Sequence, residues 1–543
     1  MRTRTLHPLG TGLLLLTFVG LTFPTAAQPL TPAQRDTYAQ QIEGAFTSLL
    51  DACYPRTMDR EKGGFYSTFT HDWKRAPEQD KMIVTQARHT WLPAKAAQLR
   101  PGDPHLKEAA RHGYHFLRDA LWDRQYGGFY SWVTRDGRPR HPDDLKTAYG
   151  NAFGIFALAA YYQTSGDTAA LNLAKKAFYW LEKFSHDPEH KGYFGDLQRD
   201  GTPAYRAQPA GKGMLGPLHY KDQNSSIHLL EAFTELYGVW PDALLGERVA
   251  EMLSLIRDRI TTEKGYLTLF LTADWRPVSY RDSAEAVRKA HYALDHVSFG
   301  HDVETAYLML EAAHILGGAH DDRTNQVAKK MVDHALRNGW DAKTGGFYER
   351  GYYLAGAGAL TVIDDRKNWW AQAEGLNTLL RMALAYPQDP AQYGDKFGRQ
   401  WAYIQRYLID PQHGGWYEWG LDKTPGAKND PKAHAWKAAY HDGRSLMNCL
   451  LHLRPDTTPP AVPTGLTATR SATGRTLLQW QAATDDGPLR GYDIYRHGKR
   501  IGFTPRTQFA VEGPDGAATG GFSVVARDVH GNASPAATPK AGK

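Results

Sequence analysis

At 543 residues, with 42% hydrophobic and 12% aromatic side chains, the chain is long enough for two or three globular domains and too apolar to be disordered. Its 64 basic and 58 acidic residues leave a formal charge of +6, but they are interspersed, so no basic stripe suited to phosphates is present and nucleic acid is not an expected partner. The two cysteines, Cys53 and Cys449, are too few for a disulfide scaffold.

The N-terminus reads as a targeting segment. Arg2 and Arg4 precede an apolar stretch from Leu9 to Phe23, and Thr25-Ala26-Ala27 supplies small residues for cleavage after Ala27. Residues 1–27 are therefore expected to be a signal peptide, and the mature protein to be exported, periplasmic or secreted. The stretch falls short of the ~20 apolar residues of a spanning helix, so no membrane span is expected after cleavage.

Beyond it, apolar residues recur at helical spacing in twelve segments, near 32–52, 81–99, 105–121, 146–163, 167–183, 222–237, 241–260, 295–316, 322–338, 367–385, 390–409 and 434–452. Six glycine turns separate alternate pairs: Gly63-Gly64-Phe65-Tyr66, Gly127-Gly128-Phe129-Tyr130, Gly192-Tyr193-Phe194, Gly265-Tyr266-Leu267, Gly345-Gly346-Phe347-Tyr348 and Gly414-Gly415-Trp416-Tyr417. Successive copies lie 64, 64, 73, 81 and 69 residues apart, which is a repeat. Each reads as a hairpin, glycine turning the backbone and the aromatic residues suiting a short strand. Because short connectors alternate with these longer ones, elaborated loops gather at one end of the helices. The expected architecture over residues 28–455 is an (α/α)6 barrel with its function on the long-loop side; an open solenoid is the alternative. In this order Cys449 lies ~22 Å along the last helix from the level of Cys53, so the two are not expected to bond.

Every second helix starts at the long-loop end and should line the barrel. Counting six or seven residues into each gives Arg88, Phe153, His228, His301, Glu374 and His441, a layer ~10 Å down the inner wall. Five of the six are ionisable, and ionisable side chains are seldom buried without a partner or a function. Asn224, Glu231, Glu304 and Arg444 share faces with these histidines at helical spacing. Aromatic rings among such groups suit a sugar's apolar faces and hydroxyl edges. The two His-x-x-Glu pairs could instead hold a metal, but the nearby Arg88 opposes a cation and no His-Glu-x-x-His is present, so a metal is not expected.

Around position 456 the pattern changes. A Pro-rich linker follows Arg454, and Thr476–Trp480, Gly491–Arg496 and Gly521–Ala526 alternate as strands do. Residues 456–543 are expected to form a linker and a small all-β sandwich around Trp480, resembling a fibronectin type III module. It carries no catalytic constellation, so a chain ending near Arg454 should keep most turnover; contact with a cell surface or polysaccharide is the role open to the module.

Five separated motifs on the inner helices, Gln86-Ala87-Arg88, Asn224-x-x-x-His228-x-x-Glu231, Ser298-Phe299-Gly300-His301-Asp302-x-Glu304, Trp369-Trp370-x-Gln372-x-Glu374 and Trp436-Lys437-x-x-Tyr440-His441-x-x-Arg444, resemble the N-acylglucosamine 2-epimerase superfamily, and within it the cellobiose 2-epimerases. The resemblance covers residues 30–452. It implies an (α/α)6 barrel and cofactor-free epimerisation or isomerisation at C2 of a mono- or disaccharide's reducing end. His301 and His441 would be the general acid/base pair, Arg88 the cationic sugar-binding residue and Glu304 their catalytic support. Asn224, His228, Glu231, Trp369, Trp370, Glu374, Trp436, Arg444 and Tyr149 would bind substrate. The chemistry agrees: two imidazoles near pKa 6.5 can take and return a proton at C2, and an arginine can hold the oxyanion. Alternatives are an aldose–ketose isomerase, a glycoside hydrolase using two of the glutamates, and a non-catalytic sugar-binding protein.

Overall fold

The computed structural model describes residues 28–539 apart from 142, 209–210, 319–320, 355, 357, 471–474 and 512–519; the expected signal peptide lies outside these residues. The chain forms α1 (Pro32–Cys53), α2 (Ile83–Leu99), α3 (Pro104–Phe116), α4 (Ala148–Ser165), α5 (Thr168–Phe184), the single turn α6 (Ala204–Ala207), α7 (Gln223–Tyr237), α8 (Ala243–Leu255), α9 (Glu285–Asp295), α10 (Phe299–Ile315), α11 (Asp321–Gly339), α12 (Trp369–Ala385), α13 (Tyr393–Tyr407) and α14 (His441–Leu453). All twelve expected helices are present. Two departures concern the loops: α6 and α9 are insertions outside the repeat, and α14 begins at His441, where residue 434 was expected.

Helices α2, α4, α7, α10, α12 and α14 pack in succession, and α14 returns to α2, so the ring is closed and the solenoid alternative fails. Closure needs a glycine: a Cβ at Gly443 would lie 2.4 Å from Leu92 of α2. The inner helices are buried on nearly every side, as in α4, where only the last two residues reach the surface, whereas α3, α11 and α13 bury one face each. No described helix is long and apolar enough to cross a membrane. Cys53 and Cys449 are both free and buried.

The glycine turns are hairpins closed by one bridge each, such as Met58 with Phe65, Trp122 with Phe129 and Ile409 with Trp416. Where the glycine is double, both residues take the left-handed region, as at Gly63 (φ 80°) and Gly64 (φ 65°), a conformation that a side chain disfavours. A feature the sequence reading missed ties these turns to the barrel. In five copies a buried lysine meets an aspartate of the turn: Lys81–Asp59 (3.0 Å), Lys146–Asp123 (2.9 Å), Lys221–Asp187 (2.7 Å), Lys367–Asp341 (2.8 Å) and Lys432–Asp410 (2.6 Å). Four of these lysines stand two residues before an inner helix. Lys146 also donates to Gly127 O (2.6 Å) and to Arg199 O of the next copy (2.7 Å), so one ammonium links turn, inner helix and neighbouring repeat. The residue four into the inner helix completes the link, Gln86 accepting from Phe65 N (2.7 Å) and Gln372 from Phe347 N (2.8 Å).

Past the last helix, two three-stranded antiparallel sheets, 464–470/476–481/508–510 and 499–504/489–496/522–528, enclose their own core of Leu478, Trp480, Tyr492, Ile494 and Val524. This all-β region docks on the short-turn end of the barrel, away from the glycine hairpins. Phe503 joins the barrel core, Tyr162 donates to its carbonyl (2.7 Å), and Arg500 and Arg506 donate to carbonyls at the C-terminal ends of α7 and α4, where cations suit the helix dipole.

The turn lysines supply a stability prediction. Asp123→Ala leaves the ammonium of Lys146 fully buried without its carboxylate, and the variant is expected to lose ~3–5 kcal/mol in urea unfolding. A loss below ~1 kcal/mol would show that the pair does not hold the turn.

Candidate active site

The N-terminal ends of the six inner helices converge at the long-loop end around a cavity of about 200 Å³ lined by Arg88, Tyr149, Asn224, His228, His301, Glu304, Trp369, Trp370, Trp436 and His441. Clefts of about 750, 580 and 430 Å³ elsewhere are larger but gather no comparable set of histidines, a carboxylate and indoles. Six helix N-termini aimed at one space make it favourable to negative charge.

The expected layer holds in part. Arg88, Phe153, His228 and Glu374 are each the sixth residue of their helix, but in α10 the sixth residue is Glu304, and His301 is the third. His441 is the first residue of α14. The chain reaches it through a tight turn at 434–437, in which His434 and Lys437 bridge and Lys437 donates to Trp416 O (2.8 Å), and this turn misled the helical count.

Each histidine is held from behind at Nδ1. His228 meets Glu231 (2.8 Å), His441 meets Glu374 (2.6 Å) and His301 meets the Ser298 hydroxyl (2.8 Å). His301 and His441 both pack on Trp370, with ring centroids 4.6 and 5.8 Å away. Arg88 donates to Trp436 O (2.9 Å) and Tyr149 OH (3.2 Å) and lies over the rings of Phe153 and Tyr440. It has no ion-pair partner among the described residues, which leaves its charge for a ligand. Trp436 is 37% exposed at the rim, and Trp369 is nearly covered.

Beneath the cavity a second tier carries no free face. Arg444 donates to Glu304 (2.6 Å), to Glu374 (2.6 Å), to Glu231 and to Tyr440, and Tyr440 donates to Glu231 (2.6 Å). Glu231, Glu374 and Arg444, expected to bind substrate, therefore stand behind the histidines, and only Glu304 both joins the network and reaches the cavity. Glu304, Glu374 and His441 bring three potential ligand atoms within 4.8 Å of one another, but the Arg444 guanidinium occupies the place between the carboxylates. Tyr440 and Ser298 were passed over by the sequence reading, although both sit inside its motifs.

Burial pushes Glu304 and Glu374 up to about 7, their mutual repulsion adding to it at Glu304. Burial also works to raise Glu231, but Arg444 and His228 outweigh it and hold its carboxyl below the usual range. Burial pushes His301 down to about 3 and, with Arg88 and Arg444, takes His441 well below 6.5, so both imidazoles are neutral at pH 7. Neutral imidazoles with Nδ1 engaged behind them offer Nε2 to the cavity as a proton acceptor.

A closed ring of six helix pairs whose mouth combines such bases with a guanidinium that faces no carboxylate and with indole walls suits a carbohydrate ligand. The comparisons with known proteins give the family. The N-acylglucosamine 2-epimerase (GlcNAc 2-epimerase) profile matches residues 63–442, and the chain belongs to that family. It is 30% identical over 412 residues to the cellobiose 2-epimerase of Bacteroides fragilis, covering 74% of this chain and 96% of the relative. The solved cellobiose 2-epimerase of Spirochaeta thermophila superposes with a TM-score of 0.65 at 28% identity, over 77% of this chain and 98% of that one. A D-mannose isomerase from Marinomonas mediterranea is 24% identical over 402 residues, covering 72% of this chain and 91% of the relative. The protein is a carbohydrate epimerase or isomerase.

The raised carboxyl of Glu304 gives a pH test. A group whose folded pKa exceeds its unfolded value of 4.5 lends stability that is complete below pH 4.5 and is lost as pH rises through about 7. Glu304→Gln cannot ionise, so between pH 4.5 and 8 its stability should gain on wild type by ~1–3 kcal/mol. A gap that is constant or moves the other way would contradict the assignment.

Proposed function

We propose that the protein inverts C2 at the reducing end of a sugar of the cellobiose type, through an enediolate and without metal or cofactor. The observation that carries this is the pair His301 and His441, set on α10 and α14 around one cavity, each held at Nδ1 and neutral. After ring opening, one imidazole Nε2 takes the C2 proton. The electrons of the C–H bond form the C1–C2 double bond, and O1 becomes an oxyanion that Arg88 and the helix N-termini stabilise. The transfer turns a neutral pair into an imidazolium and an enediolate, so the developing charge itself favours a protonated histidine. The imidazolium releases its proton to solvent, the other imidazole Nε2 takes one up, and that second imidazolium gives it to the opposite face of C2 as the enediolate electrons re-form a C–H bond. His228, tied to Glu231, is placed to assist ring opening, and Trp370 and Trp436 to stack on the sugar faces.

The likeness to the D-mannose isomerase supports a second reading, in which the proton returns to C1 and a ketose forms. The glycosidase alternative lacks its second carboxylate, since Glu374 and Glu231 face Arg444 and not the cavity. We also read residues 1–27 as an export signal and the C-terminal region as a fibronectin type III-like module, from the sequence patterns and, for the module, from its two small sheets.

Product analysis on cellobiose, glucose and mannose tests the reading. Wild type should yield the C2 epimer, and His301→Asn and His441→Asn should each lose about 10²–10⁴-fold in kcat while remaining folded. A ketose as main product would select the isomerase, and released monosaccharide from cellobiose would overturn both.

A further inference from the structure

Three of the six inner helices are capped by the side chain that precedes them, α2 and α14 have the non-capping Met82 and Tyr440 there, and α10 has a residue able to cap that does not. At the residue preceding α4, α7 and α12, Thr147 accepts from Gly150 N (2.9 Å), Asp222 from Ser225 N (2.6 Å) and Asn368 from Trp370 N (3.3 Å), so each side chain caps its helix. Ser298 occupies this position before α10 with the extended backbone of a cap (φ −103°, ψ 99°), yet its hydroxyl makes no cap bond. A capping serine there would take the backbone N–H of the third helical residue, which is His301. The hydroxyl instead meets that residue's ring, at Nδ1, 2.8 Å away. Ser298 is 5% exposed, and its backbone is pinned by the strand pairs Ser298–Arg350 and Val297–Gly351, so it has little freedom to choose.

We infer that Ser298 is a positioning residue for His301: its hydroxyl, withheld from the helix cap, keeps the proton of the neutral ring on Nδ1 and directs Nε2 into the cavity. This rests on the proposed epimerase reading and adds to it a difference between the two bases. His228 and His441 have carboxylates at Nδ1, whereas His301 has an uncharged hydroxyl. The groups facing His301 are the imidazoles of His228 on α7 and His441 on α14, His296 just before α10, Arg350 on the paired strand, and Glu304 one turn along its own helix. A carboxylate steadies an imidazolium more than a hydroxyl does. Once charged, His301 is therefore the stronger acid of the pair, the group better suited to giving the proton back.

The test compares Ser298→Ala with Ser298→Thr, which keeps the hydroxyl, and with Thr147→Ala as a cap-removal control. Ser298→Ala is expected to lower kcat on cellobiose about 10-fold or more with KM little changed. The acid limb of its kcat profile should move to lower pH, because the imidazolium loses its acceptor. Ser298→Thr should restore both. Thermal unfolding of Ser298→Ala should match wild type, whereas Thr147→Ala should unfold at lower temperature with its acid limb unmoved. Imidazole ¹⁵N NMR, which needs no substrate, should show His301 as the Nδ1–H tautomer in wild type and as a mixture in Ser298→Ala. Wild-type kcat and pH limb in Ser298→Ala, or an unchanged tautomer, would overturn the inference, as would a fall in unfolding temperature equal to that of Thr147→Ala. An absence of epimer from wild type would overturn the epimerase reading instead, and the tautomer measurement would still decide the role of Ser298.

Discussion

The active cavity stands on one guanidinium. Arg444 is buried at the centre of the barrel and touches three carboxylates, those of Glu231, Glu304 and Glu374. Three buried carboxylates against one cation would leave a large uncompensated charge, so the cluster retains protons, Glu304 and Glu374 being pushed up to about 7. Two of these carboxylates in turn hold His228 and His441 at Nδ1. The direction in which each ring presents Nε2 thus depends on a network whose central charge never meets the substrate. Removing one member leaves the others buried and unpaired, which is why the network acts as a unit.

Around it the repeat supplies rigidity cheaply and the exceptions supply chemistry. Five copies fasten their glycine turn with a buried aspartate–lysine pair. The fourth copy has Val297 where the lysine would stand, and it is also the copy that carries the α9 insertion, the diverted cap at Ser298 and His301. The sixth copy is irregular as well, entering α14 late through the turn that sets Trp436 at the rim and His441 at the helix start. Both proposed bases lie on copies that break the common form, as expected where function competes with regular packing.

Much of this was legible because the fold is periodic. The glycine turns mark every long loop, and the helical spacing between them leaves room for little but twelve helices. Arg88, His228 and Glu374 could be placed by counting because each of their helices starts two residues after its buried lysine. Counting failed for His301 and His441, where the copies diverge. It also failed to separate cavity from floor: Glu231 and Arg444 share helix faces with His228 and His441, Glu374 stands at the same depth on α12, and only the packing of α7, α10, α12 and α14 against one another turns them into a common network. The lysine two residues ahead of four inner helices was visible as a pattern, but its aspartate lies about twenty or more residues earlier and becomes its partner only once the hairpin folds back.

The central claim is that two histidines serve opposite faces of C2. Hydrogen exchange at that carbon tests it most directly, measured by NMR in D₂O with each of the two epimers as starting sugar and His301→Asn or His441→Asn as the enzyme. The account predicts that each variant still exchanges the C2 hydrogen of one epimer, that the two variants favour opposite epimers, and that wild type places deuterium at C2 of its product. Turnover by wild type with no solvent deuterium in the product, or the same epimer preference in both variants, would contradict it.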